Sequence, residues 1–515
     1  MTNGVERLFD QLGHFNRFQA CLYFAAIFQA ISCGIHYLAS VFLVETPKFL
    51  CDSPSNITDV LYRNHSSTSL ADIWTHYKPG DGPVVVQTAG GDQWELSPCL
   101  KALRLDAINF QYEFFGNKTV ESCGDFVYDH SEVEQSIVTD WDLVCDKEWL
   151  AKLAQPTFML GVLIGALVFG DIADRIGRRP ILMATSLCQF IFGVTVAFTG
   201  NYYLFVLMRF LLAMIILTLS TSPFLLYCWK FPETPFYLMA KGRYKEAQEL
   251  LDTMAYFSGL PPTLKVSELK DEYDGELLND NKQEDGRAMQ VEKRLSILDM
   301  FGSLKMAGRS ATCWAIWFIG SLGYYVFSLG SVNLGGNQYI NLFLAGAVEV
   351  PSYLVGCIAM DRVGRKKTCA PALLLGGVAC MLIIVVPQDI EILAIVLSMT
   401  GKFAIAIAFG LIYLYTCELY PTIIRSLAVG SGSMMCRVGS VVAPFCVYLA
   451  DVWIYLPQLI VGILAFIIGI LTMFLPETLG QPLTSTLEEA EALGSKPNMK
   501  NAAVDAQEMN QTIKA

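Results

Sequence analysis

His36, Arg209, Glu349, Lys402 and Arg437 stand inside long apolar stretches of this 515-residue chain. A charge in such a setting is costly, so each is read first as a functional residue. The planar guanidinium of Arg437 suits a carboxylate, through charge-assisted and bidentate hydrogen bonds. Tyr324 and Tyr325 offer ring faces whose quadrupole attracts a quaternary ammonium, and Glu349 can add a negative charge to the same region. Together these groups would hold a small zwitterion. Plainer roles compete: an internal salt bridge for Arg437, packing or interface positions for the tyrosines, and packing rather than proton transfer for His36. Lys402 follows Gly401 near the end of its stretch, where snorkelling to the interface competes with a place in a cavity.

These residues need elements that cross a membrane. The chain is 53% hydrophobic and 16% charged, too apolar for one water-soluble core, so the excess must face lipid. Crossing a hydrocarbon layer of about 30 Å takes about 20 apolar helical residues, because every backbone amide must be paired within the segment. Windows of that kind fall at about 19–44, 150–170, 181–199, 202–229, 311–329, 338–359, 370–387, 392–415, 427–449 and 453–475. The fold class is therefore an all-α integral membrane protein with about ten transmembrane helices. The first run is too long and too poorly flanked for a cleaved signal peptide and reads as a signal anchor.

Between the first two spans, the loop 45–148 carries acceptor sequons at Asn56, Asn64 and Asn117, and four cysteines, Cys51, Cys99, Cys123 and Cys145. Both features belong outside the cytoplasm. Two disulfides are expected, with connectivity left open. Arg175, Arg178 and Arg179 lie in one short loop, and Arg362, Arg365, Lys366 and Lys367 in another, whereas the turns near 200, 333, 389 and 451 lack Lys and Arg. Positive loops stay cytoplasmic, which puts both termini in the cytoplasm of a multi-pass plasma-membrane protein. The implied organisation is a cytoplasmic N-terminus (1–18), an N-terminal bundle (19–230), a cytoplasmic linker (231–310), a C-terminal bundle (311–475) and a cytoplasmic tail (476–515), polar and disordered after about 485. Within the linker, Ala247, Leu250, Leu251 and Met254 share one helical face.

The chain repeats itself. Asp174-Arg175-Ile176-Gly177-Arg178-Arg179 reappears as Asp361-Arg362-Val363-Gly364-Arg365-Lys366, and Pro232-Glu233-Thr234 as Pro476-Glu477-Thr478. Duplicated bundles mark many secondary transporters. In such a turn Gly allows a tight bend, and Asp and Arg cap helix ends.

On these residues the chain resembles the major facilitator superfamily and, within it, the organic cation and carnitine transporters of solute carrier family 22. The likeness covers nearly the whole chain, including Trp141-Asp142-Leu143-Val144-Cys145, Pro232-Glu233-Thr234-Pro235 and Glu418-Leu419-Tyr420-Pro421-Thr422-Ile423-Ile424-Arg425. The resemblance implies two bundles with a central cavity, alternating access, and a substrate such as carnitine or a related organic cation. It places Arg437 where cation-preferring members carry an acid, and Tyr324 and Tyr325 at an aromatic substrate position. It makes Arg209 a structurally paired arginine of the fourth span. Glu418 and Arg425 become gate partners of the Asp361 turn, so that Asp174, Arg175, Gly177, Arg178, Arg179, Asp361, Arg362, Gly364 and Arg365 form the gating set. The family has twelve spans, yet Asp174 and Pro232 are 58 positions apart while Asp361 and Pro476 are 115 apart. About 57 residues are missing, with a junction near Ala213–Leu217, giving a four-plus-six architecture. A second reading is therefore a non-transporting form that perturbs a full-length carrier.

Other classes find little support. A net charge of −12 argues against nucleic-acid partners. There is no phosphate-binding Gly-rich loop followed by Lys, no Ser/His/Asp set, and only five histidines, so no cofactor, metal or enzymatic chemistry is expected. The expected partners are a small-molecule substrate and the lipid bilayer.

Overall fold

The computed structural model describes residues 34–51, 61–62, 84–87, 93–96, 99–104, 120–130, 133–176, 178–216, 238, 243–258, 300–333, 337–387, 390–481, 484 and 487–493. The chain divides into two compact units, Gln19–Thr234 and Met1–Phe18 with Pro235–Ala515.

In the first unit, α1 (Gly34–Leu43) leads into seven short strands. Strands β1 (Phe49–Cys51) and β7 (Phe126–Tyr128) pair antiparallel, and β2 (Leu61–Tyr62), β3 (Val84–Gln87), β4 (Gln93–Leu96), β5 (Leu100–Arg104) and β6 (Val120–Ser122) form an antiparallel meander in that order. The sequence reading had placed no strands in this loop. Its two disulfides are Cys51–Cys123, beside the β1–β7 pair, and Cys99–Cys145, which ties the start of β5 to the turn before α2. Tyr128 donates a hydrogen bond to Asp142 at 3.0 Å. Burial, then the nearby Asp142 carboxylate, raise the Tyr128 phenol above its ordinary pKa. The three sequons lie outside the described residues.

Three helices follow: α2 (Glu148–Ile176), α3 (Arg178–Ala197) and α4 (Tyr202–Ile216). Trp141 packs on Tyr202 and Phe205, at ring distances of 6.0 and 5.3 Å, and seats the loop on the ends of α2 and α4. Helices α2 and α4 cross closely because Gly165 has no side chain: a Cβ there would lie 1.9 Å from the Met214 carbonyl oxygen. The junction near Ala213–Leu217 falls at the end of α4, and the residues after Ile216 lie outside the described ones.

The second unit holds α5 (Tyr244–Ser258), α6 (Leu304–Leu329), α7 (Gln338–Ala347), α8 (Glu349–Arg362), α9 (Arg365–Leu382), α10 (Glu391–Leu419), α11 (Thr422–Tyr448), α12 (Leu456–Thr472) and α13 (Leu487–Ala492). Helix α5 buries Ala247, Leu251, Met254 and Ala255, the face expected from the spacing, with Leu250 at its margin. Ser303 caps α6 and Asn337 caps α7 through their side-chain oxygens. A core of Trp317, Ile405, Ile412, Tyr415, Leu373 and Val461 joins α6, α9, α10 and α12.

Among the described residues, six helices are long and apolar enough to cross a membrane and four shorter apolar ones accompany them. These ten fall at the ten expected spans. Three expectations need correction. The loop at 361–367 contracts to Val363 and Gly364, because α8 and α9 run beyond the apolar windows. Lys402 lies well inside α10 rather than near its end. The tail is not disordered throughout: α13 buries Ala490, and Arg309 donates to the carbonyl oxygens of Ala490, Glu491 and Leu493. Those donors satisfy the carbonyls that a helix C-terminus leaves free.

Candidate substrate-binding and gating sites

Helices α6, α8 and α10 bring Tyr324, Glu349 and Lys402 together. Lys402, 3% exposed, forms an ion pair with Glu349 at 2.9 Å and donates to Ser328 Oγ at 3.1 Å. Tyr324 donates to the other Glu349 oxygen at 3.3 Å. The Lys402 ammonium also lies over the Tyr324 ring, 5.3 Å from its centre, and Phe409 stacks on that ring at 6.2 Å. Snorkelling is thereby excluded for Lys402. The chain's own cation occupies both the ring and the carboxylate that the sequence reading reserved for a substrate cation. Tyr325 is half-buried and meets Tyr324 edge to face at 5.2 Å. Ser328 and Phe409 were not anticipated. Ser328 stands one helical turn beyond Tyr324, a spacing at which neighbours share a face, but its lysine partner is 74 positions away.

Arg437, on α11, is half-buried and donates to the carbonyl oxygen of Ser433 at 2.7 Å and to the Ser433 hydroxyl. Its Nε has no hydrogen-bond partner, and among the described residues no carboxylate pairs with it. The expected alternative of an internal salt bridge is therefore not formed within the described residues. The α6–α8–α10 cluster is charge-balanced and Arg437 is not.

A second cluster forms at the Asp361 turn. Gly364 has φ of 115°, and a Cβ there would lie 2.6 Å from the Glu477 carboxylate. That carboxylate accepts from the amides of Arg365 (2.7 Å), Thr478 (3.1 Å), Lys367 (3.3 Å) and Leu479 (3.3 Å). It thus caps α9 from a distant segment, where Gly364 has no side chain to do so. Burial pushes the Glu477 carboxyl up, but the four amides outweigh it and hold the group below its ordinary pKa. Arg365 pairs with Glu418 at 2.8 Å and donates to the Met360 carbonyl oxygen at 3.2 Å, and Thr478 donates to the other Glu418 oxygen at 2.6 Å.

Of the two expected gate partners, Glu418 joins this turn through Arg365. Arg425 does not: its Nε and Nη2 are buried without hydrogen bonds among the described residues, while Asp361 and Arg362 are exposed. Glu477 and Thr478 were missed as members. Their signal was present, since Pro-Glu-Thr repeats in step with the Asp-Arg-x-Gly-Arg turn. In the first unit, Asp174 and Arg175 end α2 and Arg178 and Arg179 begin α3, while Gly177 and the side chains of this turn lie outside the described set.

Also in the first unit, Arg209 is 5% exposed. It donates to the His36 carbonyl oxygen at 3.4 Å and lies over the rings of Phe158 and Phe205, at 4.9 and 5.9 Å. Among the described residues, no group of three or more His, Cys, Asp or Glu is arranged to hold a metal ion.

The family described as "Sugar (and other) transporter" matches residues 102–225 and 214–490. Solute carrier family 22 member 16 of Xenopus laevis is 52% identical over 546 aligned positions, covering 95% of each chain. The chain belongs to solute carrier family 22. It is also 30% identical to the human organic cation/carnitine transporter 2, over 93% of this chain and 92% of that protein. The solved structure of the proton:xylose symporter XylE bound to 6-bromo-6-deoxy-D-glucose aligns with a TM-score of 0.47 at 18% identity, covering 67% of this chain and 90% of that one.

As a member of this family, the protein is a multi-pass membrane transporter of small molecules. An alignment of 546 positions to a 515-residue chain leaves at least 31 positions without a residue here, and at 95% coverage roughly 60. The family match itself falls in two segments that overlap at 214–225, beside the expected junction. Both findings agree with the loss of about two spans relative to family members.

Proposed function

We propose that this chain carries carnitine, or a closely related zwitterion, across the plasma membrane by alternating access, with both termini cytoplasmic. The observation that carries this reading is Arg437, a guanidinium in α11 that, among the described residues, bonds only within its own helix and meets no carboxylate. A substrate carboxylate would supply the missing acceptor. Tyr325, beside the Tyr324–Phe409 stack that Lys402 occupies, gives the aromatic wall for the ammonium end. Glu349 binds Tyr324, while Lys402 holds Glu349 in place and keeps the wall neutral. Carnitine is favoured over a bare organic cation because one of the 30% identical relatives is named for organic cation and carnitine transport. The Arg365–Glu418–Glu477–Thr478 cluster serves as a gate latch on the cytoplasmic side. The two spans' worth of missing positions supports a second reading, a form that reaches the surface without transporting.

The test is uptake of labelled carnitine and labelled choline in cells, normalised to surface-biotinylated protein. Removing a charge-assisted bond costs about 1.5–3 kcal/mol, so Arg437→Ala should lower carnitine uptake efficiency roughly 10- to 150-fold. Uptake of choline, which lacks a carboxylate, should change little. Equal loss for both compounds would remove Arg437 from carboxylate recognition. No uptake by the unaltered chain despite surface delivery would establish the non-transporting form.

A further inference from the structure

Arg209 poses a charge problem that the described residues of its unit do not solve. It sits mid-way along α4 and is 5% exposed, yet its Nε has no hydrogen-bond partner and its one described hydrogen bond, to the His36 carbonyl oxygen, is long at 3.4 Å. Among the described residues of its unit, no carboxylate pairs with it. The four apolar stretches 19–44, 150–170, 181–199 and 202–229 contain no Asp or Glu at all.

The acids at the two ends of α2 are out of reach. Phe158 and Gly161 mark the level of Arg209 on that helix, through the ring contact and the Gly161–Phe210 crossing. Glu148 precedes Phe158 by ten residues and Asp171 follows Gly161 by ten, so each lies about 15 Å along the helix axis. Glu148 is in any case paired with Lys152 at 2.6 Å.

Aromatic contact does not close the balance. A ring face recovers only part of what burying a guanidinium costs. A second buried group nearby is also unsatisfied. Gln155, one turn before Phe158 on α2 and 2% exposed, donates to the Tyr37 carbonyl oxygen at 3.2 Å, and its Oε1 has no partner. Arg209 and Gln155 thus converge on adjacent residues of α1, with a buried donor and a buried acceptor left over.

We propose that Arg209 is the binding site of a small monovalent anion, either a halide or the carboxylate of a transported substrate. The anion accepts from the Arg209 guanidinium and cancels its charge, while a water bridging to it would satisfy Gln155 Oε1. This assignment does not depend on Arg437 or on carnitine being the substrate.

The test is thermal unfolding of the purified full-length chain in detergent, titrated with sodium chloride against sodium gluconate at constant ionic strength, and separately with carnitine in chloride-free buffer. Chloride is expected to raise the midpoint saturably by about 2–4 °C. That rise should vanish in Arg209→Gln, survive in Arg437→Ala, and need at least tenfold more chloride in Arg209→Lys. A rise with carnitine alone that requires Arg209 would assign the anion to the substrate. No saturable rise with either ligand in the unaltered chain overturns the proposal, and so does a rise that persists in Arg209→Gln. Should Arg209→Gln not fold, the unaltered chain and Arg209→Lys decide: identical titrations in the two would overturn it.

Discussion

Removing Lys402 alone should damage the protein more than removing Lys402 and Glu349 together. At 2.9 Å their charges attract by about 6 kcal/mol at an effective dielectric constant of 20, and the cost of taking both from water offsets most of that gain. The pair is thus near neutral as a whole, but a stranded partner costs about 3–5 kcal/mol. Burial ranks the two single changes. Lys402→Met leaves Glu349, which is less buried and keeps the Tyr324 hydroxyl as a donor, so its cost falls near the lower figure. Glu349→Gln strands an ammonium at 3% exposure and falls near the upper one. The double variant retains apolar and amide groups that can pack, and should lie within about 1 kcal/mol of the unaltered chain. Thermal unfolding in detergent reads this directly, the single changes lowering the midpoint on the order of 10 °C and the double far less. Additive single effects, or a larger loss for Lys402→Met than for Glu349→Gln, would refute the reasoning.

Three further outcomes rest on the same structure. Gly364→Ala forces a left-handed backbone and a Cβ 2.6 Å from the Glu477 carboxylate, so it should cost about 1–3 kcal/mol, read as a lower unfolding midpoint. Because the folded-state pKa of Glu477 is lowered, its contribution is complete at neutral pH and is lost as pH falls through that depressed value; acidification should speed hydrogen exchange at the Arg365 and Lys367 amides, and Glu477→Gln should abolish the pH dependence. Peptide mapping without reductant should recover Cys51–Cys123 and Cys99–Cys145, and Cys51→Ser should cost about 2–5 kcal/mol; a Cys51–Cys99 link would contradict the β1–β7 arrangement.

The membrane helices were legible because lipid imposes one rule on every span: enough apolar residues to cover a fixed thickness. Helix ends were less so. Arg365, Lys366 and Lys367 look like loop residues in a hydropathy window, yet α9 begins at Arg365, since charged residues are comfortable in a helix that has emerged from hydrocarbon. The ionisable residues were legible one by one but not as partners. Nothing local to Lys402 announces Glu349, 53 positions earlier, and only the packing of α8 against α10 makes the pair. Glu477 is the opposite case: its repeat was visible, but its chemistry follows from Gly364, whose missing side chain leaves the start of α9 to be capped by a carboxylate 113 positions away. In the loop 45–148 the strands are two to five residues long, too short for alternation to stand out, and their pairing is set by disulfides and contacts between residues distant in the sequence.

The distribution of charge argues about selectivity more strongly than any single contact. Within the second unit, the acid that might attract a bare cation is already matched by Lys402 and bonded to Tyr324, so it offers little further attraction. Arg437, by contrast, pairs with no carboxylate among the described residues, and its charge repels a monocation and attracts an anion. A zwitterion resolves this, since its carboxylate neutralises the guanidinium while its ammonium meets ring faces rather than a second carboxylate. Family members that prefer cations would need the opposite sign at this position, and the sequence resemblance places an acid there in such members. Under the proposed role of Arg437, choice between the two substrate classes rests on the sign of one side chain in α11, against a wall whose own charges cancel.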